Sequence, residues 1–430
     1  GKAGAKVRIL CGEELDESGN VRYDMRCGCL YEEYWTIPEG GGVFEQYDYR
    51  GFRYAAVIPQ DGVQITFVKA IVRHYPFDDS YCELEAASPV LKQVWDICKN
   101  GVKYGSQEVF VDCPTREKGQ YAGDVTVTGA SHLILTGDTS LLKKAIDNQM
   151  QSAKIRQGLL AVAPGSFLQE IADYSLQFPL SALRYYNAVG DRAYLSENLK
   201  VCEGIISHFK KYSRGDGLLC RVMDEWNLVD WPENMRDGYD FPPDYSAEPH
   251  NVINAFYIGC VIGTEQIRDI LGVSYKKESP ALIKAFNREF YDSETGLYKD
   301  RANSSHISLH SNILPAFYGF IKSGSELAVG DFIVKKGLSC GVYMAYFLLK
   351  ALCRLGRHTD AYSLIVSQGE HSWYNMVREG ATTCFEAWGK EQKWNTSFCH
   401  PWASAPISVL AEDILPKHPE LGRIVYRKSR

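Results

Sequence analysis

No run of lysine or arginine interrupts this 430-residue chain, whose net charge is −6. An electrostatic grip on nucleic acid or on an anionic membrane therefore has no support, and no partner of either kind is expected. The thirteen cysteines fall singly, with no CxxC pair answered by a second one. Cys27 and Cys29, one residue apart, are poorly spaced for chelation, so no metal is expected. Unpaired thiols in that number fit a reducing compartment, which makes the cytoplasm the expected location. Export stays open, because the chain begins as though inside a domain. A nucleotide fingerprint, a GxSxG elbow and a P-loop are all missing, so none of those chemistries competes and no cofactor is expected. Nothing reaches bilayer length either. The most helix-like apolar stretch, Val342 to Leu349, stops at Lys350.

What is present is 45% hydrophobic and 23% charged, the composition of a chain with a large packed core. Aromatic residues make up 12%, with 27 Tyr and 8 Trp. Sugar sites use such rings, because the apolar face of a pyranose stacks on them. Large helical domains bury the same rings in their cores, so composition leaves both readings open.

Residues 1 to about 80 read as strands, with Val43–Tyr49, Phe52–Ile58 and Val63–Val72 as the richest segments and glycine in the turns between them. They are too few to close a sandwich, so residues 1–82 are expected to be part of a β-sandwich domain. From Ser88-Pro89 onward the apolar period becomes helical. Helical patterns follow near 126–136, 139–156, 176–189, 192–213, 249–271, 278–290, 306–323, 326–337, 340–354 and 358–368. Short connections such as Thr136-Gly137-Asp138 and Val189-Gly190-Asp191 separate several of them. Helix hairpins repeated over some 330 residues predict a mainly α fold, a toroid of αα-hairpins spanning 83–415. Residues 416–430 are left as a tail, the remnant of a further β domain.

In such a toroid the long polar loops on one face build the pocket. Three loops stand out. The first, Val111 to Asp124, packs Asp112, Glu117 and Asp124 around Arg116 and Tyr121. The second runs from Asp224 to Glu233 and mixes carboxylates, Asp230 among them, with Trp226 and Trp231. The third holds Glu386 beside Trp388, with His400 a short loop away. Each also reads as a plain charged or capped connector, and a lone histidine is more often structural than catalytic. Hydrolysis of a glycosidic bond needs one protonated and one ionised carboxyl on opposite sides of the scissile carbon. Loops one and three supply such a pair.

At these residues the sequence resembles the α-L-rhamnosidases of glycoside hydrolase family 78. Asp112-Cys113-Pro114-Thr115-Arg116-Glu117 with Tyr121-Ala122-Gly123-Asp124 is similar to the family's D-C-P-x-R-x-E loop in a shorter variant. Thr382-Thr383-Cys384-Phe385-Glu386 and Ser397-Phe398-Cys399-His400 resemble its T-T-x-W-E and S-x-x-H segments. Gly51-Phe52-Arg53-Tyr54 resembles its h-G-F-R-Y strand, and Val229-Asp230-Trp231 its G-D-W loop. The resemblance implies an (α/α)6 toroid flanked by β domains, and an enzyme that inverts the anomeric centre. It implies Glu117 as general acid and Glu386 as general base. Asp112, Arg116, Asp124 and His400 would bind the sugar, with Tyr121, Asp230, Trp231 and Trp388 lining the pocket. Arg116 beside Glu117 favours the ionised form, so burial or Asp112 must hold the acid's proton. Tyr121 and Phe385 stand where the family has tryptophan, a departure that bears on which sugar is accepted. The implied partner is a carbohydrate, a rhamnoside; homo-oligomerisation stays open. Two other readings remain: a different (α/α)6 carbohydrate-active enzyme, which as a lyase would find loop one too acidic, or a binding homologue that has lost activity.

Overall fold

A computed structural model of the chain describes residues 1–25, 28–156, 158–163, 170–222, 224–243, 248–394 and 396–427. Cys27 and the last three residues of the expected tail lie outside them. Among the described residues, twelve of the helices build the body, and they alternate in character. Six form an inner ring: α2 (Ala122–Thr136), α4 (Phe178–Val189), α6 (Asn251–Leu271), α8 (His310–Tyr318), α10 (Met344–Arg354) and α12 (Ala405–Val409). Each packs on the next, and α12 packs back on α2, so the ring closes. The sequence explains the placement. From Met344 to Cys353 nearly every side chain of α10 is buried, and α6 is buried almost all round, as expected of helices without a polar face.

The outer helices are amphipathic and pack on the outside of the inner ring. They are α1 (Pro89–Gly105), α3 (Ser140–Ser152), α5 (Arg192–Phe209), α7 (Ser279–Phe290), α9 (Glu326–Lys336) and α11 (His358–Ile365). Helix α1 starts at Ser88, whose side chain accepts from the Leu91 N–H, followed by Pro89 in the first turn. The mainly α toroid expected from the sequence is what the chain forms.

Alternate helices run in opposite directions, so connections sort onto two rims. Inner-to-outer connections are short turns, such as 137–139 and 190–191, with Gly137, Gly190 and Gly272 in the left-handed conformation that ends a helix. Outer-to-inner connections are long: 106–121, 210–250 and 366–404 all arrive at N-terminal ends of inner helices. The three polar loops therefore share one rim. On the other rim, β5 (Gly422–Tyr426) pairs antiparallel with β4 (Cys82–Ala86), register Leu84 to Ile424. The strand leading into the first helix is thereby joined to the chain's last described segment.

The N-terminal part carries a three-stranded sheet in the order β2-β1-β3, with β1 Lys6–Gly12, β2 Glu32–Thr36 and β3 Tyr54–Pro59. Its core is small, built on Cys11, Met25 and Tyr31. Two of the expected strands do not form as such. Residues 43–49 and 63–72 have β-prone sequences but no strand partner among the described residues, and Phe67, Val68, Ile71 and Val72 stand exposed. High β-propensity without an edge to pair with does not make a strand. Among the described residues no helix is long and apolar enough to cross a membrane.

Candidate active site

Loop one is closed on itself before it reaches α2. The Asp112 N–H donates to Gly119 O at 2.8 Å, and the Gly119 N–H donates to Asp112 Oδ1 at 2.7 Å. The enclosed residues turn Arg116 inward, its side chain 3% exposed, and leave Glu117 facing outward at 37%. Tyr121 donates its hydroxyl to Glu117 Oε2 at 2.6 Å. Asp124 lies in the first turn of α2 and is buried, where the helix dipole favours a carboxyl group.

Loop three delivers Glu386 against the same arginine. Arg116 Nη2 donates to Glu386 Oε2 at 2.7 Å, while its Nη1 lies 3.7 Å from Glu117 Oε1. One guanidinium thus stands between the two carboxyls. Glu386 also accepts from Lys393 Nζ and, at 2.9 Å, from the Ser397 N–H. Burial pushes the Glu386 carboxyl up; His400, Lys393 and Arg116 pull it down and prevail, leaving it below the ordinary range. Burial also pushes His400 down to about 3, so this imidazole is neutral near pH 7. The cations that keep Glu386 ionised there are Lys393 and Arg116.

Behind this pair sits a second carboxyl group set of opposite tendency. Burial, then Glu117, pushes Asp112 up to about 7. Burial, then Asp112 and Glu117, raises Asp124 well above the usual carboxylate range. His400 Nε2 lies 3.2 Å from Asp124 Oδ1. Asp112 Oδ2 and His400 Nδ1 are buried polar atoms with no hydrogen-bond partner among the described residues. Buried polar atoms are rarely left so unless something else is to meet them. Asp112, Cys113 and His400 also offer ligand atoms within 4.8 Å of one another.

The raised Asp112 has a consequence for stability. Its stabilising contribution is present below its unfolded value near 3.8 and is lost as pH climbs through the folded value of about 7. Asp112→Asn keeps the Oδ1 acceptor and removes the buried charge. The variant should melt a few degrees (about 2–8 °C) higher than the parent at pH 8, with the gap closing toward pH 4. Equal melting temperatures at pH 8 would show that the buried charge costs nothing.

The remaining expected residues divide. Trp231 keeps part of its ring exposed, with Lys393 Nζ 5.4 Å from the ring centroid, and Trp226 meets it edge-on at 5.8 Å. Asp230 and Trp388 are fully buried and already engaged. Asp230 pairs with His310 Nε2 at 2.7 Å and accepts from the Gly341 N–H at 2.7 Å. Trp388 donates to Cys340 O at 2.6 Å and packs edge-on against Trp373. Both belong to the wall rather than to its surface. Gly341 is required there, since an added Cβ would collide with Trp231 O.

Two residues of the site were not singled out from the sequence. Lys393 lies in Gly389-Lys390-Glu391-Gln392-Lys393, a charged stretch that reads as solvated loop; its position between the Glu386 and His400 segments was the available signal. Glu13 follows β1 and accepts from the Phe398 N–H at 3.3 Å and the Thr115 hydroxyl at 3.5 Å. No local pattern marks it.

Residues 79–414 match the family of bacterial alpha-L-rhamnosidase 6 hairpin glycosidase domains. The chain is 21% identical over 414 residues to an alpha-L-rhamnosidase of Formosa agariphila, covering 91% of this chain and 43% of that protein. An alpha-L-rhamnosidase of Alteromonas sp. is 22% identical over 409 residues, with 90% and 43% covered. The chain therefore spans less than half the length of these curated relatives. The crystal structure of the Streptomyces avermitilis alpha-L-rhamnosidase complexed with L-rhamnose superposes with a TM-score of 0.78 at 21% identity, covering 95% of this chain and 40% of that one. That likeness is one of fold.

Proposed function

The chain belongs to the family of bacterial alpha-L-rhamnosidase six-hairpin glycosidase domains, and from that premise we propose that it removes terminal α-L-rhamnose from glycosides or oligosaccharides with inversion. Glu117 acts as general acid and Glu386 as general base. The observation that carries this is the pair of carboxyls on either side of Arg116 in unlike surroundings. Glu386 is buried and held ionised by cations, the state a base needs. Glu117 reaches solvent, so burial does not protect its proton as expected from the sequence, and a leaving group can approach it there with Asp112 as the neighbouring carboxyl. A guanidinium between the two suits an inverting pair, which stands about 6.5–9.5 Å apart to admit water. Carboxyls of a retaining pair stand closer, at about 5–5.5 Å.

Asp112 and Asp124 hydrogen-bond ring hydroxyls, and His400 Nδ1 meets a further one. Each meets the sugar with an acceptor that the protein leaves vacant or with a proton it retains. Trp231 and Tyr121 offer faces for the apolar side of the ring. Asp230 and Trp388 support these from behind. The reaction needs water as its sole co-reactant.

Aryl glycosides carrying α-L-rhamnose, α-L-arabinose or β-D-glucuronic acid test the substrate. Turnover of the rhamnoside alone is expected; cleavage of a different sugar in its place would overturn the specificity. Proton NMR of an early reaction mixture should show β-rhamnose first. If α-rhamnose appears first, inversion is wrong.

A further inference from the structure

We propose that Glu13, supplied by the N-terminal β unit, is a positioning residue for the catalytic pair, fastening the loop that carries Glu117 to the loop that carries Glu386; this rests on the two-carboxylate reading above. One oxygen, Glu13 Oε1, accepts from both loops. Its partner Thr115 is the residue before Arg116, and its partner Phe398 is the residue after Ser397, whose N–H donates to Glu386. These loops lie more than 250 residues apart in the chain, and the Arg116–Glu386 contact spans a separation of 270. A shared acceptor therefore fixes a distance that no local structure sets.

The rest of the β unit grips the same two loops. The Tyr31 hydroxyl donates to Thr115 O at 2.5 Å, and Lys118 Nζ donates to Tyr49 O at 2.8 Å. Arg53 Nη1 donates to Gly380 O at 2.5 Å, at the start of loop three. Gly51 sits so close that a Cβ there would meet Pro114 O at 2.6 Å. Glu13 differs from these in its charge. The groups facing it are Arg116 and Glu386 from the two loops, Glu14 beside it, and the thiols of Cys29 and Cys399. Burial dominates and pushes its carboxyl up to about 7, with the Phe398 N–H and Arg116 opposing and Glu386 and Glu14 adding to it. Once ionised, Glu13 places a negative charge near Arg116 and Glu386, which makes Glu386 the better base. Below that pH it fastens the loops without the charge.

A staple that was structural alone would shift melting temperature and leave the chemistry untouched. Kinetics of the parent, Glu13→Ala and Glu13→Gln on the aryl glycoside cleaved fastest, between about pH 5 and 9, separate the two. Glu13→Ala should lower kcat by about 10- to 100-fold, with KM within about threefold. Glu13→Gln retains an acceptor oxygen, so it should recover most of kcat yet flatten the inflection near pH 7, to which Asp112 also contributes. Hydrogen exchange of peptides covering 112–124 and 382–402 should quicken in the alanine variant while α6 and α10 are unchanged. Parental kcat and pH profile in Glu13→Ala, or a loss confined to melting temperature, would overturn the proposal. If the parent itself cleaves no glycoside, the rhamnosidase reading fails, and exchange alone decides the positioning. Unchanged exchange in both loops would then overturn it.

Discussion

Glu386→Gln should reduce turnover of a rhamnoside by about 10²–10⁴-fold, and by the same factor whatever the aglycone. In the proposed role Glu386 acts on water, so the quality of the leaving group does not enter. Glu117→Gln should behave differently. With an alkyl rhamnoside, whose leaving oxygen needs a proton, the loss is expected to be just as steep. With p-nitrophenyl rhamnoside, whose leaving group departs as the anion, it should be shallow. Retention of near-parental turnover by Glu386→Gln, or an aglycone-independent loss in Glu117→Gln, would sink the assignment of roles. The surroundings predict a second difference. Glu386 lies buried with Arg116 and Lys393 as its cations, so the amide strands positive charge in the interior, at a cost of about 3–5 kcal/mol. Lys393→Met added to Glu386→Gln removes part of that charge and should restore stability without restoring turnover. Glu117 is partly solvated, and its amide keeps an acceptor for the Tyr121 hydroxyl, so Glu117→Gln should melt close to the parent.

Asp230→Ala is expected to destabilise the fold by about 3–5 kcal/mol, measured by denaturant unfolding. The carboxylate takes up three protein donors: His310 Nε2, the Gly341 N–H and the Trp231 N–H. Removing it leaves a buried imidazole, the buried Gly341 N–H and the part-buried Trp231 N–H unsatisfied. It also holds a strained turn. Val229 beside it has φ +60°, a costly value for a β-branched residue. Asp173 secures that turn from the other side through the Leu228 and Val229 N–H groups, at 3.2 and 2.7 Å. Trp231 is the next residue, so KM should rise along with the loss of stability. A parental unfolding midpoint for Asp230→Ala would show that the clamp carries no energy.

Much of this was legible because it is periodic or local. Nearly every inner and outer helix follows the apolar spacing, and the alternation of short glycine turns with long polar loops places the site on one rim. Asp112, Arg116, Glu117 and Asp124 come together because thirteen residues of one loop hold them. What the sequence hides is direction and distance. Asp230 and Trp388 stand beside residues that face the site, yet their own side chains point into the wall, and an adjacent position in a loop says nothing of which way a side chain turns. Glu13 reaches Phe398 across a separation of 385, where no spacing rule operates. Residues 63–72 show the converse: their composition is that of a strand, but pairing depends on a neighbour that composition does not supply.

The division of the toroid into a rim of long loops and a rim of tight turns gives the molecule a front and a back. Gly190, Gly272 and Gly356 are all solvent-exposed corners of the back, where an added Cβ would meet open space. Bulk attached there, whether a bead, a dye or a fused partner, faces away from the opening through which a glycoside would enter. The chain can thus be anchored to a surface in a chosen orientation, by its dull side, with every loop that touches chemistry still looking outward.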